Sequence, residues 1–227
     1  MIGLKTLKPA RTLVDQTYDT VLDAICEGVL KPGERLTQEE IAARLEVSRQ
    51  PVMHALAMLR AQGFVQEAGR RGLVVAPVDP ALFDAIYQFR AAVEPMAVRL
   101  ATRRLTPAAA SGLGAVVARG RAAVEAGAQK EVLAADVEFH SAIAELSGNP
   151  VVADAMRLNW RHLQRSMGEV LRFPGMTIAV WDEHAAILDA MVAGEGATAG
   201  RLMEDHLIGA CRRVTGRDIA AGALGGG

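Results

Sequence analysis

Thr37-Gln38-Glu39-Glu40-Ile41-Ala42-Ala43-Arg44-Leu45-Glu46-Val47-Ser48-Arg49-Gln50-Pro51-Val52 decides the fold of the first third of this chain. Thr37 followed three residues later by Glu40 has the form of a capping box: the hydroxyl accepts from the Glu40 amide while the Glu40 carboxylate reaches back. A short helix follows with Ile41, Ala42 and Leu45 inward. Ser48 is the next N-cap, and a third helix runs to about Gln62, where Gly63 stops it. Upstream, Leu13 to Leu30 repeats apolar residues near every 3.6 positions and ends before Pro32-Gly33. Downstream, Phe64–Glu67 and Leu73–Ala76 bracket Ala68-Gly69-Arg70-Arg71-Gly72, a two-stranded hairpin with a basic tip.

Two short helices joined by a tight turn, the second opening on polar residues, form a helix-turn-helix whose second helix enters the major groove. Its leading residues are Ser48, Arg49, Gln50 and Pro51. Arg pairs bidentately with guanine and Gln with adenine; Ser48 and the free amides of the helix start suit a phosphate. Arg70, Arg71 and Gly72 sit where a wing reaches the backbone or minor groove. Arg35, Thr37 and Arg44 flank the same surface. The competing reading, solvated arginines on a structural three-helix unit, does not account for the ordered set. One recognition helix reads too few bases, so a homodimer on a palindromic double-stranded operator is expected.

Two prolines in Ala76-Pro77-Val78-Asp79-Pro80 mark a change of character. We divide the chain into a DNA-binding domain at 1–76, a linker at 77–80, a helical domain at 81–220 and a Gly-rich tail at 221–227 expected to be disordered. Six segments (80–104, 107–126, 129–146, 150–171, 176–193 and 196–217) have helical periodicity and make a bundle, with Pro95 inside the first. The fold class is mainly α. The 51% hydrophobic content provides a core, and the 4% aromatic content argues against an all-β protein. A net charge of −1 excludes a globally basic nucleic-acid binder, so the placement of charge must carry the case. No apolar run nears the ~20 residues of a membrane span. The N-terminus has no apolar signal core, and Cys26 and Cys211 have no framework spacing. A cytoplasmic protein without a membrane partner is expected.

Asp136 and His140 stand at i and i+4, on one helix face. His184 and His206 lie among apolar residues at helical spacing and border the bundle interior. One carboxylate and three imidazoles from three helices suit a divalent transition metal: zinc, manganese or nickel. The alternative is four separate residues with ordinary hydrogen bonds. Arg90 is either a carboxylate clamp for a small organic acid or the i,i+4 partner of Glu94. Asn159, Arg161 and Arg165 lie on a helix able to line a pocket, and Trp181 is core or pocket wall. A metal-dependent hydrolase-like enzyme is the competing function. Yet Glu138 and Glu183 adjoin ligands at positions that point away from them, no GxSxG or phosphate loop is present, and an enzyme leaves the winged head unexplained. A purely structural metal is a third reading.

Residues Ile25 to Val75, with Leu30-Lys31-Pro32-Gly33-Glu34-Arg35-Leu36, Glu40-Ile41-Ala42 and Val47-Ser48-Arg49-Gln50-Pro51-Val52, resemble the winged helix-turn-helix of GntR-family transcription regulators. The resemblance implies DNA contacts by Arg35, Arg49 and the wing. The family usually continues Arg-Glu-Ala-Leu after Pro-Val. Here Met53-His54-Ala55-Leu56 removes an Arg and offers His54 as a substitute contact, or as a packing or solvated His. The C-terminal 150 residues resemble the all-helical FCD ligand-sensing domain of the FadR subfamily through Arg90, Glu94, Asp136, Phe139-His140, Gly148-Asn149-Pro150, His184 and His206. That resemblance implies a metal, commonly zinc, on Asp136, His140, His184 and His206. It also implies an effector pocket facing the metal and a non-enzymatic, ligand-responsive regulator.

Overall fold

The computed structural model describes residues 11–170 and 178–215. The expected tail at 221–227, residues 171, 176–177 and 216–217 of the expected helical segments, and 218–220 of the expected helical domain lie outside the described residues. The chain divides into two compact units, Met1–Val78 and Asp79–Gly227.

The first unit holds α1 (Leu13–Cys26), β1 (Arg35–Leu36), α2 (Gln38–Leu45), α3 (Arg49–Ala61), β2 (Val65–Glu67) and β3 (Leu73–Val75). Thr12 caps α1 in a full capping box with Asp15. At α2 the bond described is the forward one, Thr37 accepting from the Glu40 amide. Helix α1 ends at Cys26, four residues earlier than the periodicity predicts. Gly28 takes φ 72°, and the Leu30 amide turns back to the Ala24 carbonyl. Ser48 has the extended backbone of an N-cap but makes no side-chain cap bond. The wing is the expected hairpin, but its sheet has three strands in the order β1-β3-β2, all antiparallel. The two-residue β1 pairs Arg35 with Val74 and Leu36 with Leu73, and is too short to announce itself by alternation. Val21, Leu22, Ile25, Leu36, Val52, Leu56, Leu59, Phe64 and Val75 form this unit's core.

The second unit is helical: α4 (Pro80–Thr102), α5 (Pro107–Glu125), α6 (Gln129–Leu146), α7 (Pro150–Val170), α8 (Ile178–Val192) and α9 (Gly196–Thr215). Helix α4 starts at Pro80, as the helical segment at 80–104 predicts, so the last residue assigned to the 77–80 linker is its first residue and Asp79 is its N-cap. Asp79 accepts from the Ala81 amide, and a proline is tolerated in a first turn. Thr106 and Pro107 start α5 in the same manner. Helix α4 packs on α6, α7, α8 and α9 and so runs through the centre of the bundle. Its interior positions therefore face the site from one side while α6, α8 and α9 face it from others. Gly120 of α5 lets the Trp181 indole of α8 lie against the helix; a Cβ there would overlap the ring.

Candidate metal centre and nucleic-acid interface

In the head, apolar residues at helical spacing fix how α3 is rolled. Val52, Ala55, Leu56 and Leu59 are buried, which leaves Arg49, Gln50, Met53 and His54 exposed on the opposite face. His54 is one turn beyond Gln50, so it is a solvated residue of the recognition face and not a packing one. Pro51 departs from expectation: it is buried, so its ring packs into the head and presents nothing outward. Arg49 is paired with Glu39 of α2 at 2.9 Å, with both side chains well exposed, so this pair costs little to break. Arg35 and Arg44 are exposed, and Thr37 is half-buried by its cap bond. Arg70 is exposed in a short 3-10 turn, Gly69–Arg71, closed by Gly72 at φ 73°.

In the bundle, Asp136 and His140 of α6, His184 of α8 and His206 of α9 converge. One ligand atom from each lies within 4.8 Å of the others, and all four residues are buried. The His184 Nε2 is 3.2 Å from the His206 Nε2 and 3.3 Å from the His140 Nε2. The Asp136 Oδ1 is 3.5 Å from the His184 Nε2 and 3.8 Å from the His140 Nε2. A tetrahedral ion with bonds of about 2.1 Å holds its ligand atoms about 3.4 Å apart, so four of the separations suit such an ion, while the widest in the set reaches 4.8 Å.

The outer nitrogens support the same reading. The His140 Nδ1 is 2.5 Å from the Glu94 Oε2, and the His206 Nδ1 is 2.7 Å from the Glu183 Oε2. An ionised carboxylate only accepts, so both Nδ1 atoms carry protons and both Nε2 lone pairs turn inward. The His184 Nδ1 has no hydrogen-bond partner, so its Nε2 is free either to donate to one of these two lone pairs or, in the other tautomer, to join them in facing a cation. Burial, and then the neighbouring imidazoles, push His184 well below its ordinary pKa; burial also lowers His206 against the pull of Glu183. Both are thus held neutral, the form that binds metal. Burial alone would raise the Glu94 carboxyl, but Arg90 and His140 outweigh it and bring it down to about 2.

Arg90 of α4 donates from Nε to the Glu94 Oε1 at 2.5 Å, so the predicted i,i+4 pair exists, but buried. Its guanidinium is 4.2 Å from the Trp160 ring centroid and 5.0 Å from that of Tyr87, and its Nη2 has no hydrogen-bond partner. Trp181 is fully buried, with its ring 4.8 Å from that of His184, and so is a core residue beside the cluster. Asn159 is half-buried on α7, next to Trp160, and Arg161 lines a groove of about 300 Å³ between α6 and α7. Sequence reasoning missed the role of Glu183, because it points away from its neighbour His184; its partners, His206 and Arg213, are both on α9.

Comparison with known proteins agrees with this division. Residues 13–75 match the model of bacterial regulatory proteins of the gntR family, and residues 85–209 match the FCD domain. An HTH-type transcriptional regulator from an unstable DNA locus of Streptomyces ambofaciens is 31% identical over 78% of this chain and 75% of its own. The Nta operon transcriptional regulator of Aminobacter aminovorans is 34% identical over 63% of this chain and 64% of its own. A putative GntR regulator from Rhodococcus sp. RHA1 superposes with a TM-score of 0.73 at 26% identity, covering 89% of this chain and 97% of that one. Escherichia coli McbR shares the fold with a TM-score of 0.75 at 22% identity, over 87% and 94% of the two chains. This chain therefore belongs to the GntR family of bacterial regulatory proteins: it is a transcriptional regulator with that family's DNA-binding head joined to an FCD domain, and not an enzyme.

Proposed function

We propose that this regulator binds a palindromic operator as a homodimer and that a small organic acid, taken up beside a divalent metal in the FCD domain, alters operator affinity. The metal is held by Asp136, His140, His184 and His206, with zinc the first expectation and manganese or nickel the alternatives. When bound, such an ion supplies a Lewis-acidic position for a carboxylate or hydroxyl oxygen. The observation that carries the reading is the pair of features side by side in one buried interior: four converging ligand atoms, and an arginine N–H without an acceptor. Arg90 orients an incoming carboxylate, and Glu94 fixes both Arg90 and His140. Asn159 and Arg161 contribute from α7.

In the head, Arg49 and Gln50 read base edges. Ser48, with no cap bond to make, meets a phosphate. Arg35, Thr37, Arg44, Arg70, Arg71 and Gly72 hold the backbone or groove edge. His54 reads one step further along the groove, and Met53 offers an apolar contact to a thymine methyl where an arginine is usual in the family. For the effector to regulate, it must bind one arrangement of the dimer more tightly than another.

The test is thermal melting of metal-loaded and chelated protein against a panel of hydroxy, dicarboxylic and sugar acids. A shift of several degrees with one acid, present only with metal, is expected. If chelation alone destabilises the protein and every acid leaves the melt unchanged, the metal is structural and the sensing role falls.

A further inference from the structure

The proposed metal centre is closed. Asp136 is 6% exposed, His140 1%, His184 0%, His206 4% and Arg90 2%. The described residues leave these ligands almost no exposure, so an organic acid reaches them only when a side chain moves. The groove between α6 and α7 adjoins it. Val137 and Ser141 line that groove and directly follow the ligands Asp136 and His140 in sequence, so the groove and the cluster occupy neighbouring faces of α6.

Trp160 belongs to both places. It lines the groove, its ring is 5.4 Å from the His140 ring, and it covers the Arg90 guanidinium at 4.2 Å. It is 3% exposed, yet its indole N–H has no acceptor. A buried donor left unpaired is costly, so the ring has a hydrogen bond still to gain by moving. The Arg90 Nη2 directly beneath it is unpaired as well. Trp160 borders both the groove and the His140 ring, so these two unpaired donors sit beside that border and suit an anionic oxygen passing it.

We propose that the α6–α7 groove is the route by which small ligands reach the buried centre, and that Trp160 is the gate across it. This rests on the metal-centre reading, but it is tested without any metal. Full-length chelated protein is treated with diethyl pyrocarbonate, and carbethoxylation of each histidine is followed by mass spectrometry. The exposed His54 of the head serves as an internal reference. Trp160→Ala is expected to raise the labelling rate of His140 and His184 at least tenfold relative to His54. Ser141→Trp, which plugs the groove, is expected to slow it severalfold, an effect that loss of stability cannot mimic. Leu163→Ala removes a comparably buried α7 side chain that does not line the groove, and is expected to have a much smaller effect. Unchanged labelling in Ser141→Trp, or equal acceleration by Leu163→Ala and Trp160→Ala, would overturn the route. Metal content of the untreated protein, measured separately, decides the metal reading independently.

Discussion

Glu94 is the residue on which most of the centre's order depends. Its two oxygens bind Arg90 and His140 at once, and burial makes each bond costly to lose. Glu94→Gln keeps the shape but removes the charge. It is expected to weaken metal binding by 10–100-fold, read by competition with a chromogenic chelator, because the His140 imidazole loses the partner that orients it. The same variant leaves Arg90 an uncompensated buried cation, so melting is expected to fall by the equivalent of about 3–5 kcal/mol. On the DNA side, Arg49 has only an exposed partner, Glu39, to exchange for a base. Arg49→Ala is expected to cost about 1–3 kcal/mol of operator binding and to relax preference at one position; unchanged binding in a fluorescence-anisotropy titration would remove Arg49 from the recognition set. Asp136 and His140 were legible as a pair because they are one turn apart on one face; that His184 and His206 converge on them from two other helices no local spacing shows, and the resemblance to FCD domains supplied it. Glu183 was not, because its partners lie on another helix and no spacing within α8 announces them.

At the scale of elements, the breakers did most of the work. Thr106-Pro107, Gly127 and Gly194 place the ends of α4, α5 and α8 within two residues of the expected ends, since caps and left-handed glycines act locally. The early end of α1 at Gly28 and the third strand β1 escaped. One depends on a backbone turn that apolar periodicity overruns, the other on pairing across forty residues. The contact between α5 and α8 offers a sharper test of packing. Gly120→Ala inserts a Cβ into the Trp181 indole and is expected to destabilise the FCD domain by about 1–3 kcal/mol, seen as a lowered midpoint in urea. Because Trp181 also packs on His184, the variant is expected to weaken metal retention as well. A change in stability without a change in metal affinity would separate the packing from the site.

Across the whole molecule, two cores are built from non-overlapping stretches of chain. Each buries its own apolar residues, so residues 11–78 alone are expected to fold. A cooperative thermal transition by circular dichroism checks this. His184→Ala is expected to abolish metal loading, measured by plasma emission, while the head keeps the secondary structure it has alone. The chain has two tryptophans, Trp160 and Trp181, and both lie in the FCD domain. Their rings pack against His140 and His184, and the head carries none. Excited at the red edge of the indole band, the protein emits only from the two side chains that touch the centre, so it is its own optical probe. Ion loading and acid uptake can be titrated in the intact regulator without a dye, and bound operator contributes no emission of its own.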